Sequence, residues 1–215
     1  MGPPQGRRER RIQMYASIAS HIAMLPGFWT GWRNGRYTEC VIGFAGVLIS
    51  FVYHCLDTIG GEFADMSALQ WHRLDNVASQ ITFVGVAIVL MQNTDARTDE
   101  IIRWAFAFMI IVLQERAPWQ VVWTILPIAL AGAACCARWV GLRQTPILVP
   151  WALRASGVAG AVAVICFYRG LDDRNDYARL WHSGWHVSVG ALALGLAEAT
   201  ARFDLARKGA GDVAR

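Results

Sequence analysis

Charged side chains are scarce in this sequence, and long uncharged stretches take their place. Asp, Glu, Lys and Arg make up 17% of the 215 residues, whereas an ordinary soluble domain carries about 25%. Six stretches contain none of these four residue types: 12–32, 40–56, 76–94, 117–137, 155–168 and 180–197. A soluble core of this size cannot bury so many apolar runs, and a helix that crosses a bilayer needs about 20 apolar residues. The sequence therefore excludes a soluble domain and predicts an all-α, polytopic membrane protein.

The six uncharged stretches predict six membrane spans, and a seventh is expected around 100–114. Residues 101–114 are uncharged apart from Arg103, whose long side chain can reach the membrane surface from the end of a helix. We expect a seven-helix transmembrane bundle over 12–200, a basic disordered tail over 1–11 and a polar tail over 201–215. No loop is long enough for an independent domain, so any chemistry must come from the bundle.

Cysteine patterns typical of a disulfide framework or a zinc ribbon are also missing. The five cysteines lie at 40, 55, 135, 136 and 166, within or beside predicted spans and without zinc-ribbon spacing. We expect them to pack as small apolar residues. The net charge of +4 is explained by arginines at the membrane edges and indicates no nucleic-acid partner. The expected partners are membrane lipids, and self-association into a homo-oligomer is left open.

Three predicted spans each carry two polar residues four positions apart, which places both on one helical face. These pairs are Ser50 and His54 at the end of the second span, Asp75 and Ser79 at the start of the third, and His182 and His186 at the start of the seventh. Polar residues within a span are costly, so each invites a functional hypothesis. In an up-and-down bundle these three positions lie at the same membrane face, and the side chains can therefore converge at one depth.

The histidines among these pairs are candidate metal ligands. Three histidines and one open position form the ligand set of a catalytic zinc, and two ligands four apart on one helix readily combine with a third from a facing helix. His54, His182 and His186 would supply that set. His21 and His72 have no such partners in the sequence, and we expect them to be ordinary interfacial residues.

Ser50 and Asp75 are candidate catalytic residues at the same depth as these histidines. Each also has a simpler structural explanation. The Ser50 hydroxyl can bond the carbonyl four residues before it, and Asp75 can pair with Arg73 or Arg179.

In combination, these motifs resemble the CREST superfamily of seven-span membrane proteins, which includes the alkaline ceramidases and the progestin/adiponectin receptors. The resemblance is closest to the myomaker-like branch and covers roughly residues 20–200. It is carried by GRYTE at 35–39, YHCLD at 53–57, LQ at 69–70 and HSGWH at 182–186. The chain departs from that branch in YHCLD, where the Cys and the residue after it are exchanged.

The resemblance implies a seven-helix bundle in which His54, His182 and His186 hold a zinc ion, with Asp75 and Ser50 beside it. It also implies a luminal or extracellular N-terminus and a cytosolic C-terminus, in the plasma membrane or an endomembrane. The positive charges of the loops favour the same orientation.

If zinc is present, we expect a hydrolase that acts on a lipid amide or ester, with Asp75 as the general base. Ser50 would donate to the developing oxyanion or orient Asp75.

Two other classes of function remain open from the sequence. Zinc could join the second and seventh spans as a structural staple in a protein of membrane remodelling, fusion or lipid binding. Alternatively, His54 and a histidine of the seventh span could ligate a haem, which would leave Asp75 and Ser50 without a role.

Overall fold

The computed structural model describes residues 7–142, 146–172, 176 and 179–213, and most of them are helical. The α-helices are α1 (Arg7–His21), α2 (Leu25–Arg33), α3 (Tyr37–Ile59), α4 (Ala68–Met91), α5 (Ala96–Arg116), α6 (Val121–Leu142), α7 (Pro150–Gly170) and α8 (Leu180–Val213). A 3₁₀-helix, Ile22–Met24, joins α1 to α2, and two short strands, β1 (Glu62–Phe63) and β2 (Met66–Ser67), form a hairpin between α3 and α4. The prediction of an all-α protein is confirmed.

Four helices, α3, α4, α6 and α7, are long and apolar enough to cross a membrane. Such a set fits a multi-pass membrane protein. Judged by helix length and hydropathy, the described residues do not show the seven spans expected from the sequence. The first segment is interrupted by the 3₁₀-helix, α5 carries several charges near its start, and the histidines of α8 lower the mean hydropathy of that helix.

The break in the first segment has a local cause. Pro26 lies in the first turn of α2, and a proline has no N–H to donate to the carbonyl of the preceding turn. The chain therefore passes through a tighter turn at Ile22–Met24 before the α-helix resumes. This places His21 immediately before an irregular point of the backbone.

The two predicted tails are partly helical where the structure describes them. α1 begins at Arg7, inside the segment 1–11 expected to be disordered, and residues 1–6 of that segment lie outside the described part of the chain. α8 continues to Val213, through most of the segment predicted as the polar tail 201–215.

The hairpin between α3 and α4 sets the register of these two helices. Ala64 and Asp65 have φ angles of 52° and 59°, which is typical of the tight turns of two-residue hairpins. Ser67 and Gln70 then form a capping box at the start of α4. Because the connection is short and well defined, the last turns of α3 face the first turns of α4.

The opposite end of the bundle is held by ion pairs of the GRYTE segment. Arg36 pairs with Asp204 of α8, and the two side chains are only 11% and 3% exposed. Glu39 of α3 accepts a hydrogen bond of 2.9 Å from Arg103 of α5. The side chain of Arg103 is only 8% exposed, so the expectation that it reaches out to the membrane surface is wrong. The Glu39 carboxylate holds the Arg103 side chain inside the bundle instead.

Asp95 lies in the connection between α4 and α5, directly before the first residue of α5. The Asp95 carboxylate accepts hydrogen bonds from the backbone N–H groups of Arg97 and Thr98 and from the Thr98 hydroxyl. The bond from the Thr98 hydroxyl, followed by that from the Arg97 N–H, lowers the pKa of Asp95. Asp95 therefore caps the helix in its charged form.

The apolar core lies between α4, α5 and α6. Val84 and Ile88 of α4, Ile110 of α5 and Ala131 of α6 are buried together. The five cysteines are all free, and Cys40, Cys135 and Cys166 are buried. α8 packs on the other side of the bundle, along α7 and against the α1–α2 segment, and this second contact region contains the histidines.

Candidate metal centre

Four histidines from three helices meet near one end of the bundle. His21 is the last residue of α1, His54 lies in α3, and His182 and His186 lie in the first two turns of α8. The Nε2 atoms of His54 and His182 are 3.0 Å apart. The ring centroids of His21 and His186 are 4.2 Å apart, and those of His54 and His186 are 5.2 Å apart.

Three of the four histidines bring ring nitrogens close enough to share one metal ion, and His182 adjoins this group through its contact with His54. His21, His54 and His186 are buried, and one ring nitrogen from each lies within 4.8 Å of the others. Around a tetrahedral zinc with Zn–N bonds of about 2.0–2.1 Å, two ligand nitrogens are about 3.3 Å apart. The 3.0 Å between His54 and His182 is close to that separation. Imidazole nitrogens suit zinc, so the donor set fits the ion that the sequence resemblance implies.

The first turn of α8 is fixed by a carboxylate. Asp176 is buried and accepts hydrogen bonds from the backbone N–H groups of Trp181, at 2.7 Å, and His182, at 3.0 Å. These groups have no partner within the helix, so the carboxylate satisfies them. Arg179, just before the helix, pairs with Asp57 of α3 at 3.1 Å. Together these contacts hold His182 opposite His54.

A short hydrogen-bonded chain in α1 orients two of the histidines. The carbonyl oxygen of Ser17 accepts bonds from the Ser20 hydroxyl, at 2.7 Å, and from Nδ1 of His21, at 2.6 Å. Nδ1 of His186 lies 2.9 Å from the Ser20 oxygen. With the hydroxyl hydrogen of Ser20 donated to the Ser17 carbonyl, the tautomer of His186 that completes this chain is the one that donates from Nδ1 to the Ser20 oxygen. Both histidines therefore carry their hydrogen on Nδ1 and keep a lone pair on Nε2.

Ser50 and Asp75 form a pair one helical turn from His54. The Ser50 side chain lies close enough to the Asp75 carboxylate to interact with it. Ser50 is buried and precedes His54 by one turn of α3, about 6 Å along the helix. The Ser79 hydroxyl instead bonds the backbone carbonyl of Asp75, at 2.6 Å. In the polar pair at the start of α4, the Asp75 side chain therefore contacts α3, whereas the Ser79 hydroxyl bonds its own helix.

The structure thus brings the predicted ligands His54, His182 and His186 close together and places the predicted catalytic residues Ser50 and Asp75 near each other. His72 lies beside this region, with its ring stacked on Tyr53 at 4.4 Å.

His21 was not expected in the cluster, yet it is buried at 4% exposure. A signal was present, because Ser17 and His21 are four positions apart in an uncharged stretch. The same spacing singled out the pairs in the other spans.

Comparison with known proteins identifies one family. The family model described as a protein of unknown function (DUF3522) matches residues 9–187. The matched region includes all four histidines of the cluster together with Ser50 and Asp75. None of the curated proteins compared with the chain is similar to it in sequence.

Proposed function

The chain belongs to the DUF3522 family, and we propose that it is a zinc-dependent membrane hydrolase that cleaves the amide or ester bond of a lipid. The observation that carries this proposal is the group of His21, His54 and His186, whose ring nitrogens lie within 4.8 Å of one another. Ser50 lies one helical turn from His54, and its side chain is close to the Asp75 carboxylate. A purely structural metal site needs ligands and no adjacent acid–base group. Here the Asp75 carboxylate on α4 lies near the Ser50 side chain, which is one turn from His54.

The proposal includes the topology implied by the resemblance to the CREST superfamily. The α1–α2 segment, α5 and α8 would add three crossings to the four apolar helices, which gives seven. The surface of α5 supports this, since Trp104, Phe108 and Ile111 are exposed on a helix of 21 residues, as expected of a lipid-facing helix. The N-terminus is then luminal or extracellular and the C-terminus cytosolic.

In the proposed reaction, a bound zinc ion would polarise the lipid carbonyl and make water more acidic. His54, His182 and His186 would hold the ion. Asp75 would take the proton from the attacking water and return it to the leaving group. Because the Ser50 side chain lies near the Asp75 carboxylate, its role would be to orient that carboxylate by donating a hydrogen bond.

The depth of the site supports a lipid as the substrate. His54 lies five residues before the end of α3, and Asp75 and His186 lie seven and six residues after the starts of their helices. At 1.5 Å per residue these positions are within about 10 Å of the helix ends. The amide or ester of a membrane lipid lies just below the headgroups, at a comparable depth.

A second candidate function is a metal-stapled membrane protein without hydrolytic activity, which acts in membrane remodelling, fusion or lipid binding. His21 favours it, because a fourth histidine beside the other three could complete a closed metal site of the structural type. A haem is less compatible with the cluster. It would have to insert between His54 and His182, whose Nε2 atoms are 3.0 Å apart.

The test uses the full chain purified in detergent. Zinc content is measured by elemental analysis, and turnover is measured with a panel of ceramides, lysophospholipids and simple lipid esters. His186→Ala should lose both zinc and turnover, whereas Asp75→Asn should keep zinc and lose turnover by about 100-fold or more. His72→Ala is the matched control, since it removes a neighbouring histidine outside the proposed ligand set.

Three results decide between the candidates. Zinc together with Asp75-dependent turnover supports the hydrolase. Zinc without turnover of any lipid in the panel favours the structural staple. Turnover that survives His186→Ala would contradict a zinc-dependent reaction at this site.

A further inference from the structure

We propose that His21 is a fourth nitrogen ligand of this metal centre and that it closes the position which a reacting water would need. The inference rests on the proposed metal, and it adds a ligand from α1 to the set drawn from α3 and α8. It follows from the hydrogen bonds of His21, from its burial and from its place before the 3₁₀-helix.

The hydrogen bonds of His21 leave one ring nitrogen available. Nδ1 donates to the Ser17 carbonyl at 2.6 Å, and a carbonyl only accepts, so the hydrogen must be on Nδ1. Nε2 then carries a lone pair. This atom is buried and has no hydrogen-bond partner among the described residues.

A buried acceptor without a hydrogen-bond partner is destabilising. The surroundings of His21 supply a reason for tolerating this cost. Its ring lies 4.2 Å from that of His186 and 5.6 Å from that of His54, between centroids, and its ligand nitrogen lies within 4.8 Å of theirs. A cation bound among these rings would satisfy the free lone pair.

The arrangement in α1 is typical of a metal-binding histidine. Ligating histidines usually donate their second ring N–H to a carbonyl or carboxylate, which fixes the tautomer and aims the free nitrogen at the metal. His21 does this through the Ser17 carbonyl, and His186 does it through the Ser20 oxygen. One turn of α1 therefore orients ligands on two different helices.

A ligand from α1 changes what the site can do. Catalytic zinc sites keep an open position, whereas structural sites are closed by four protein ligands. With His21 in place the resting centre is closed, and hydrolysis requires His21 to withdraw. The 3₁₀-helix Ile22–Met24 follows directly, and a short 3₁₀ stretch inside a longer helix is a frequent hinge. His21 would thus act as a gate at the metal.

The experiment compares the full chain with His21→Ala and, as a control, His72→Ala. Zinc affinity is measured by chelator competition, and the Co²⁺-loaded protein is titrated with azide while its visible absorption is recorded. His21→Ala should weaken zinc binding by about 100-fold or more, beyond the 10–100-fold effect of losing a group that only orients a ligand. Azide should shift the spectrum of His21→Ala strongly, and the spectra of the wild type and His72→Ala little. Added imidazole should restore the wild-type spectrum of His21→Ala.

Two results would overturn the gate. One is a His21→Ala variant with the zinc affinity of His72→Ala. The other is azide binding by the Co²⁺-loaded wild type, which can be measured even if His21→Ala does not fold. A wild-type chain that binds neither zinc nor cobalt is a different outcome, because it removes the proposed metal itself and with it the hydrolase.

Discussion

Gly190 of α8 lies directly against the backbone of Ala23 in the 3₁₀-helix, so close that a Cβ added to Gly190 would overlap the Ala23 carbonyl oxygen. Gly190 is one turn beyond His186, and Ala23 is two residues beyond His21. The contact therefore sets the distance between the two helices that carry these histidines. Glycine is required here for close approach of two backbones.

Gly190→Ala should separate α1 from α8 and weaken zinc binding. The added methyl group meets backbone atoms, which cannot rotate away as a flexible side chain would. We expect zinc affinity to fall by about 10-fold or more, comparable to the loss of an orienting group, together with a lower melting temperature in detergent.

Gly157→Ala is the control for this change, since an added Cβ at that helical position meets nothing within 4 Å. Alanine is the better helix former by about 0.5–1 kcal/mol, so this variant should be at least as stable as the wild type. Equal zinc affinity in Gly190→Ala and Gly157→Ala would show that the close contact does not position the site.

Ser20→Ala should weaken metal binding while leaving the four histidines in place. Its hydroxyl links Nδ1 of His186 to the Ser17 carbonyl, so its loss frees the His186 ring to rotate. The expected loss of zinc affinity is about 10–100-fold, measured by the same chelator competition. Ser156→Ala is a suitable comparison, because that buried hydroxyl bonds only its own helix, at the Ala152 carbonyl, and should leave zinc affinity unchanged.

Most residues of the candidate site could be singled out from the sequence, because polar residues are conspicuous in uncharged stretches. Spacing of four positions put His182 beside His186 and Ser50 beside His54, and the short α3–α4 connection brought Asp75 opposite Ser50. His21 could not be placed in the same way. Its partners are a backbone carbonyl and a serine whose role depends on how α1 packs against α8, and that packing is set by single contacts such as Gly190 with Ala23.

In the apolar helices, too, local features could be predicted from the sequence and contacts between distant residues could not. Continuous apolar stretches predicted the helices α3, α4, α6 and α7 well, since length and hydropathy are local properties. The burial of Arg103 was not predictable, because it depends on Glu39, which lies 64 positions earlier in the chain. Composition shows that a charge is costly within a span, and only the fold shows which carboxylate compensates it.

Breaking the Arg36–Asp204 pair should destabilise the bundle without affecting the metal centre. Removing one partner of a buried pair leaves an uncompensated charge, at a cost of about 3–5 kcal/mol. Arg36→Leu and Asp204→Leu should each lower the free energy of unfolding in mixed micelles by that order, and the double variant should recover most of the loss. Zinc content should stay at the wild-type level, since the pair lies at the other end of the bundle.

The exposed pair of Arg73 and Glu115 is the comparison, with side chains 34% and 65% exposed. Glu115→Gln should change the free energy of unfolding by no more than about 1 kcal/mol. A similar change at both sites, or single and double variants that are equally unstable at the first site, would contradict the role of the buried pair.

The proposed orientation places the α3–α4 hairpin and the α4–α5 loop on opposite sides of the membrane, with the hairpin luminal or extracellular. Glu62→Cys and Thr94→Cys introduce thiols at exposed positions in these two connections. In cells that carry the protein at their surface, a membrane-impermeant maleimide should label Glu62→Cys and an N-terminal tag should be accessible. Thr94→Cys and a C-terminal tag should react only after permeabilisation, because seven crossings put the two termini on opposite sides.

The wild type, with its five native cysteines, serves as the blank. If only Thr94→Cys is labelled in intact cells, the orientation is the reverse of the proposed one. If both termini lie on the same side, the chain does not cross the membrane seven times.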